Sequence, residues 1–414
     1  MPARCFGARP GFETVRSVPR PHVLIAGGGI GGLTAALALL RRGIDVDVYE
    51  QASALTEVGA GVQISPNGSR ALFGLGIGER VLAMSCQASG KEIRLWSTGQ
   101  TWTLFDLGAE AVQRYGFPYV TVYRPDLLAA LAEGVRREKP DAIHLSARIA
   151  GFKETGDRVL LRLADGSEVP GDVLIGADGI HSRVRHGLWG QEATRFSGLV
   201  AWRGVIPMDR LPAHFARPVG TNWVGPGRHV IHYPLRRGEL MNVVGIVERT
   251  DWQVESWTAE GSTAELMADF AGWHPDVHTL FAAIARPYKW ALMLREPLGR
   301  WTRGRVTLLG DACHPTLPML AQGAVQAIED GYILGRALSE IGDLGDALRR
   351  YEQARHERTS RMVRGSAENA ARFHNPALAD PEGASAYVSR EWAEAPVRQR
   401  YDWLFRYDVD AVEI

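Results

Sequence analysis

"HVLIAGGGIGGLTAALALLRRGIDVDVYE" runs from His22 to Glu50. "HVLIAG" is a short β-branched run that ends at glycine and reads as a buried strand. Gly27, Gly29 and Gly32 then form G-x-G-x-x-G, and "LTAALALLRRG" is rich in helix formers and stops at Gly43. "IDVDVYE" alternates and ends at Glu50. Strand, glycine turn, helix and strand make one complete βαβ unit, which makes the fold α/β and Rossmann-like. The spacing has a physical reason. The first glycine permits a tight turn, the second lets backbone approach a pyrophosphate, and the third lets helix and strand pack closely. The helix N-terminus then offers free N–H groups and a partial positive charge to the phosphates. Glu50 follows Gly32 by 18 residues, near the roughly 20 expected of an acid that binds a ribose. An acid there favours a free 2′-hydroxyl. The motif itself does not separate FAD from NAD.

Val23 to Leu40 carries no charge and is just long enough to span a bilayer. Its five clustered glycines argue instead for the nucleotide turn, so no membrane partner is expected. The chain has 414 residues, which suggests two units, sequential or interleaved. Lys+Arg and Asp+Glu are both 47, and this balance favours no polyanionic partner such as nucleic acid. Cys5, Cys86 and Cys313 are three, and widely spaced. They fit neither a disulfide framework nor a zinc site, so no metal and a reducing cytoplasm are expected. Residues 1–20 hold four arginines without an apolar core and read as a disordered extension, not a secretory signal.

Three further stretches extend the reading. "DVLIGADGIHSRVR", Asp172 to Arg185, leads a strand into Asp178 and Gly179. "GRVTLLGDACHP", Gly304 to Pro315, leads another into Asp311. "YRPDLLAAL", Tyr123 to Leu131, opens a helix at Arg124. In this order and separation they resemble the DG, GD and R-x-D-L motifs of the FAD-dependent aromatic hydroxylases. "FSGLVAWRGVIP", "HYPLRRGEL" and "HPTLPMLAQGAVQAIEDG" are similar to the branch that contains salicylate hydroxylase, 3-hydroxybenzoate 6-hydroxylase and 6-hydroxynicotinate 3-monooxygenase. No second G-x-G-x-x-G follows a strand and no C-x4-C pair is present, which separates the chain from two-dinucleotide disulfide reductases.

The resemblance implies a para-hydroxybenzoate hydroxylase-like FAD domain, an antiparallel-sheet substrate domain and C-terminal helices. The FAD domain would be assembled from 21–90, 105–195 and 291–375, and the substrate domain from 91–104 and 196–290. The tail, 376–414, would pack on the body or on a second subunit, in a monomer or homodimer. The Arg-rich stretch from Leu344 to Phe373 reads as a solvated helix face and dimer contact. The implied reaction takes electrons from NADH (or NADPH) into FAD. The reduced flavin reacts with O2 to a C4a-hydroperoxide, which hydroxylates a small aromatic acid. Glu50 would hold the FAD ribose, Asp178 and Gly179 would serve FAD and NAD(P)H, Arg124 would touch the flavin, and Asp311 would hold the ribityl hydroxyls.

"GAGVQISPNG", Gly59 to Gly68, would lie along the flavin ring, with Gly61 and Val62 approaching it and Gln63 bonding flavin or substrate. The helix that begins near Gly323 and Ala324 would stabilise negative charge at the flavin's N1–C2 edge. The adjacent Cys313 and His314 point apart on an extended chain and form no dyad; His314 is expected at the flavin edge. Pro318 and Met319 would wall the substrate pocket, and Arg203 and Tyr233 could hold a carboxylate. Such a hydroxylase needs a base to deprotonate a ring hydroxyl. His232 in "HVIHYPL" is the leading candidate, matched to the strand histidine that the resembled 3-hydroxybenzoate hydroxylases use; His229 would face the opposite side. The alternatives are a flavin-dependent halogenase or epoxidase, and a non-catalytic flavin-binding regulatory protein. "WRGVIP", Trp202 to Pro207, nearly mimics the halogenase W-x-W-x-I-P, with Gly204 where the second tryptophan would stand.

Overall fold

The structure is a computed structural model that describes residues 21–55, 60–190, 194–251 and 259–414. The expected extension over residues 1–20 lies outside them. His22–Ala26, Ile30–Leu40 and Asp45–Tyr49 are the strand, helix and strand of the opening unit. They belong to a five-stranded parallel sheet whose order is Val306–Leu308, Val173–Gly176, His22–Ala26, Asp45–Tyr49, Ile143–His144. Val23, Leu24, Ile25 and Ala26 are fully buried, as a parallel strand covered on both faces must be. The uncharged helix after them packs against the helices Arg124–Glu138 and Gly323–Glu340. A Cβ at Gly331 would stand 2.6 Å from the Ala35 nitrogen, so glycine lets the two backbones touch. Its apolar surface is spent on this packing. Among the described residues no helix is long and apolar enough to cross a membrane.

The second large element is a seven-stranded sheet. Its order is Tyr288–Leu294, Arg195–Pro207, Leu240–Glu248, Arg228–Leu235, Val219–Gly225, Gly90–Leu95, Thr101–Asp106. Neighbours are antiparallel except Val219–Gly225 and Gly90–Leu95. The sheet therefore takes in Phe105, Asp106 and the residues up to Leu294, on the far side of the expected limits at 104 and 290. Period-2 alternation splits it into two faces. Trp202, Trp223, Val230 and Val243 pack with Phe270 and Phe281 of the Thr263–Phe281 region. Arg203, Asn222, Ile231 and Val244, joined by register, face the other way, towards the nucleotide domain.

A 30-residue helix, Leu344–Phe373, runs back along the molecule. Asp343 caps it, accepting the Asp346 N–H at 2.7 Å. Its arginines are not all on a solvated face as expected: Arg355 is fully buried and pairs with Glu329 and Asp330, and Arg358 pairs with Glu329. The tail packs on its own chain. Tyr115 donates to Asp402 at 2.7 Å, and the Phe105 ring meets the edge of Tyr401 at 4.9 Å.

Candidate active site

The glycine turn joins two cavities. Gly27, in the left-handed region at φ +109°, borders one of about 690 Å³ together with Glu50 and Asp178. Gly29 borders another of about 360 Å³. A Cβ at Gly32 would lie 2.0 Å from the Gly27 carbonyl oxygen, whereas one at Gly29 would meet nothing within 4 Å. The third glycine is needed for packing, and the second leaves open room above the Ile30–Leu40 helix. That helix has no side-chain N-cap, so its first N–H groups remain for a ligand. Glu50 is fixed at the rim, accepting the N–H groups of Gly28 (2.7 Å) and Ala52 (2.8 Å). Open room for phosphates, an uncapped helix and an acid at the cavity rim fit an adenine dinucleotide.

The smaller cavity lies between the two domains. Its floor brings together Gly61, Val62, Arg124, Gly179, Asp311, Gly323 and Ala324, far apart in sequence. The Gly61 N–H donates to Asn242 at 2.7 Å, and a Cβ there would meet the Tyr233 ring at 2.5 Å. The glycine strand is thus pressed against the roof. Gly59, at the start of that stretch, lies outside the described residues. Asp178 turns its carboxylate onto its own helix instead, accepting Ser182 Oγ (2.5 Å) and the N–H groups of Arg183 (2.6 Å) and Val184 (3.2 Å). Asp311 borders the cavity, and desolvation there pushes its pKa up.

Pro318 and Met319 form part of the wall on a loop tied to the long helix. Ser366 donates to the Leu317 carbonyl at 2.5 Å and Asn369 to that of Met319 at 3.1 Å. The Gly323–Glu340 helix, also without a side-chain N-cap, starts at the cavity. Cys313 is fully buried and its thiol pKa is pushed well up by burial, so it stays an inert thiol. His314 is not at the flavin edge. It is 1% exposed and pairs with Asp330 at 2.6 Å in the interior, drawn there by a carboxylate 16 residues away.

The roof corrects the base assignment. His229, Ile231 and Tyr233 line the cavity, and His232 does not. An extended strand cannot show both His232 and Tyr233 to one side; the face that carries Tyr233 carries His229. The His232 ring lies 5.7 Å from that of Phe215. Burial pushes its pKa down to about 3, and neither ring nitrogen has a hydrogen-bond partner among the described residues. His229 is 3% exposed and its Nδ1 lies 2.7 Å from Nε2 of His374. Burial, then His374, push the His229 pKa well down, so the ring is neutral at neutral pH and one of its nitrogens carries a lone pair.

Two cations and an amide face the same space. The Arg203 guanidinium sits over the rings of Tyr288 (5.6 Å) and Trp290 (4.9 Å). Lys91, absent from the sequence reading, lines the cavity with its ammonium 4.9 Å from the Tyr119 ring. Burial pushes its pKa down to about 7. The Tyr119 hydroxyl donates to Gln63 at 2.8 Å. Asn222 leaves its buried Oδ1 without a partner among the described residues, an acceptor waiting for a ligand donor. The signal for Lys91 was its phase: it shares a strand face with Ile93 and Leu95, both buried on the cavity side.

A dinucleotide cleft under a sheet that presents a histidine, cations and aromatic rings fits a dinucleotide-dependent enzyme with a small-molecule site. Residues 20–366 match the FAD binding domain family. A 3-amino-4-hydroxybenzoate 2-monooxygenase, PtmB3 of Streptomyces platensis, is 41% identical over 95% of this chain and 98% of its own. A 6-hydroxynicotinate 3-monooxygenase of Pseudomonas fluorescens is 37% identical over 84% of this chain and 91% of its own. The structure of Klebsiella pneumoniae HpxO complexed with FAD and uric acid superposes with a TM-score of 0.81 at 29% identity, over 94% of this chain and 98% of that one. The chain belongs to the FAD binding domain family and is an FAD-dependent monooxygenase. Within "WRGVIP", Trp202 points away from the cavity and donates to Asp269 at 2.7 Å, while Arg203 faces the cavity.

Proposed function

We propose that the protein hydroxylates a small aromatic acid that carries a ring hydroxyl, on a benzene or pyridine ring. The observation that carries this reading is the cavity face of the roof, where His229 stands on a strand between those of Lys91 and Arg203. Each cation's strand is two strands from that of His229, about 10 Å at the usual spacing, and Lys91 is offset by a further four residues along the strand, about 13 Å, because His229 is level with Val224 and Leu95. Long side chains reaching inward can therefore grip one end of a single-ring acid while the histidine meets the other.

Bound FAD, reduced by NAD(P)H and exposed to O2, supplies the electrophilic oxygen. The chain's own residues do the rest. Gly29 and the helix behind it take the pyrophosphate, Glu50 the ribose, Asp311 the ribityl hydroxyls and Arg124 the ring system. The Gly323–Glu340 helix N-terminus steadies negative charge on the ring. Lys91 holds the substrate carboxylate and Arg203 adds positive field. Tyr233, Pro318 and Met319 flank the ring and exclude water. Burial pushes the Tyr233 hydroxyl pKa up, so it stays a neutral donor. His229 takes the ring hydroxyl proton, which makes the ring carbon a stronger nucleophile.

The test is a screen of NADH and NADPH oxidation over hydroxybenzoates, aminohydroxybenzoates and hydroxypyridine acids, with product identification and a peroxide assay. Acceleration by one such acid with formation of its hydroxylated product is expected. Acceleration that yields only peroxide with every acid, or none at all, would contradict the reading.

A further inference from the structure

We infer that His229, His374 and Glu248 form a proton relay that connects the inner wall of the cavity with bulk water. The inference rests on His229 as the acceptor of the ring proton. His229 Nδ1 lies 2.7 Å from His374 Nε2, and His374 Nδ1 lies 2.9 Å from a Glu248 carboxylate oxygen. The His374 side chain is 2% exposed and that of Glu248 is 60% exposed. The three groups therefore lead from cavity wall to surface without a gap longer than a hydrogen bond.

The path is built where separate elements meet. His229 is on a roof strand, Glu248 ends the neighbouring strand, and His374 follows the last residue of the long helix. Gly227, in the turn between Val219–Gly225 and Arg228–Leu235, donates to the His374 carbonyl at 3.1 Å and accepts the Glu248 N–H at 3.0 Å. The Phe373 ring stands 5.0 Å from His229 and helps keep the pair dry. Two buried rings in contact through nitrogens share one proton between them. With Glu248 ionised, His374 donates Nδ1–H to it and His229 donates Nδ1–H to His374 Nε2. His229 Nε2 is then the nitrogen left for the cavity, and it carries a lone pair.

The transfer balances. The substrate O–H bond breaks and an Nε2–H bond forms on His229. The His229 Nδ1 proton passes to His374 Nε2, the His374 Nδ1 proton passes to Glu248, and the carboxyl releases it to water. Nothing is oxidised or reduced, and the ring is left as its oxyanion. The same path run backward reprotonates the product and restores both tautomers. Storing the proton on His229 as a buried imidazolium would oppose the burial and the second histidine that lower its pKa. His374 and Glu248 act through His229 and are positioning residues.

The test uses the FAD-loaded enzyme and 4-hydroxy-3-nitrobenzoate, whose phenolate absorbs visible light, at a pH where the free probe is protonated. Phenolate formation on binding is followed by stopped flow, in dilute buffer and with added imidazole or formate. Wild type should be fast and indifferent to the additives. Glu248→Gln, at the surface, and His374→Ala should be slower by at least about tenfold, and the additives should restore them. A merely structural role would give a defect that small buffers do not repair. Wild-type rates in both variants, or slowing that no additive relieves, would overturn the relay while leaving His229 as base. Failure of wild type to bind the probe, or wild-type phenolate formation in His229→Gln, would instead overturn the functional reading beneath it.

Discussion

His314 and His229 are both buried, at 1% and 3% exposure, and each is held by one partner, at 2.6 and 2.7 Å. Their surroundings give them opposite jobs. His314 belongs to a cluster turned inward on itself. Asp330 accepts from the Gly310 N–H (3.0 Å), His314 and Arg355 (2.8 Å), while Glu329 accepts from Arg358 and Asn67 (2.8 and 2.6 Å). This locks the Asp311 loop, the Gly323–Glu340 helix and the long helix to one another. His229 belongs to a line of groups with one end in the cavity and the other at the surface. Burial alone does not mark a catalytic histidine; what marks it is a ring nitrogen left over beside an open space.

The largest effect is expected where the inward cluster is opened. Burial alone would raise the Asp330 pKa, but His314 and Arg355 beside it hold it at about 2. Asp330→Ala takes one of two carboxylates from the buried Arg355 and leaves His314 and the Gly310 N–H without their acceptor, so a loss of about 3–5 kcal/mol is expected, read as a lower urea midpoint. The pH dependence follows from the depressed pKa. The stabilisation is complete above the unfolded Asp value of about 3.9 and is lost as pH falls towards about 2. A variant as stable as wild type would show that the cluster is not structural.

A smaller effect sharpens the open end of the comparison. Lys91→Met should weaken binding of the aromatic acid by roughly 1.5–3 kcal/mol, the usual worth of a charged hydrogen bond, with little change in flavin content. Burial pushes the Lys91 pKa down to about 7, so in the ligand-free enzyme the ammonium discharges as pH rises past that value. Wild-type affinity should therefore fall between pH 6 and 9, and that of Lys91→Met should stay flat. Parallel curves would remove Lys91 from the carboxylate site.

The nucleotide half was legible because its requirements are local. Gly27 needs a positive φ, Gly32 needs no Cβ and Glu50 needs only its distance along one βαβ unit. The roof strands were legible too, from their alternation, but which face met the cavity was not. Assigning both His232 and Tyr233 to the site broke the very period that identified the strand, and His229 was lost with it. Lys91 was missed because a lysine in phase with two apolar residues was not set against the cavity. His314 was expected at the flavin edge and Arg355 on a solvated face because their partners, Asp330 and Glu329, lie 16 to 26 residues away along the chain. Local pattern does not register such partners.

On this reading the cavity-facing His229, and not His232, takes the proton of the ring hydroxyl. The most direct measurement is coupled hydroxylation, as product formed per enzyme per second, in His229→Gln and His232→Gln across pH 5 to 9. His229→Gln should lose about 10²–10⁴ in kcat while retaining bound FAD. His232→Gln should keep coupled turnover near that of wild type. The acid limb of the wild type should lie below the ordinary histidine value of about 6.5, because burial keeps His229 neutral to lower pH. The reverse pattern, with His229→Gln active and His232→Gln dead, would contradict the account.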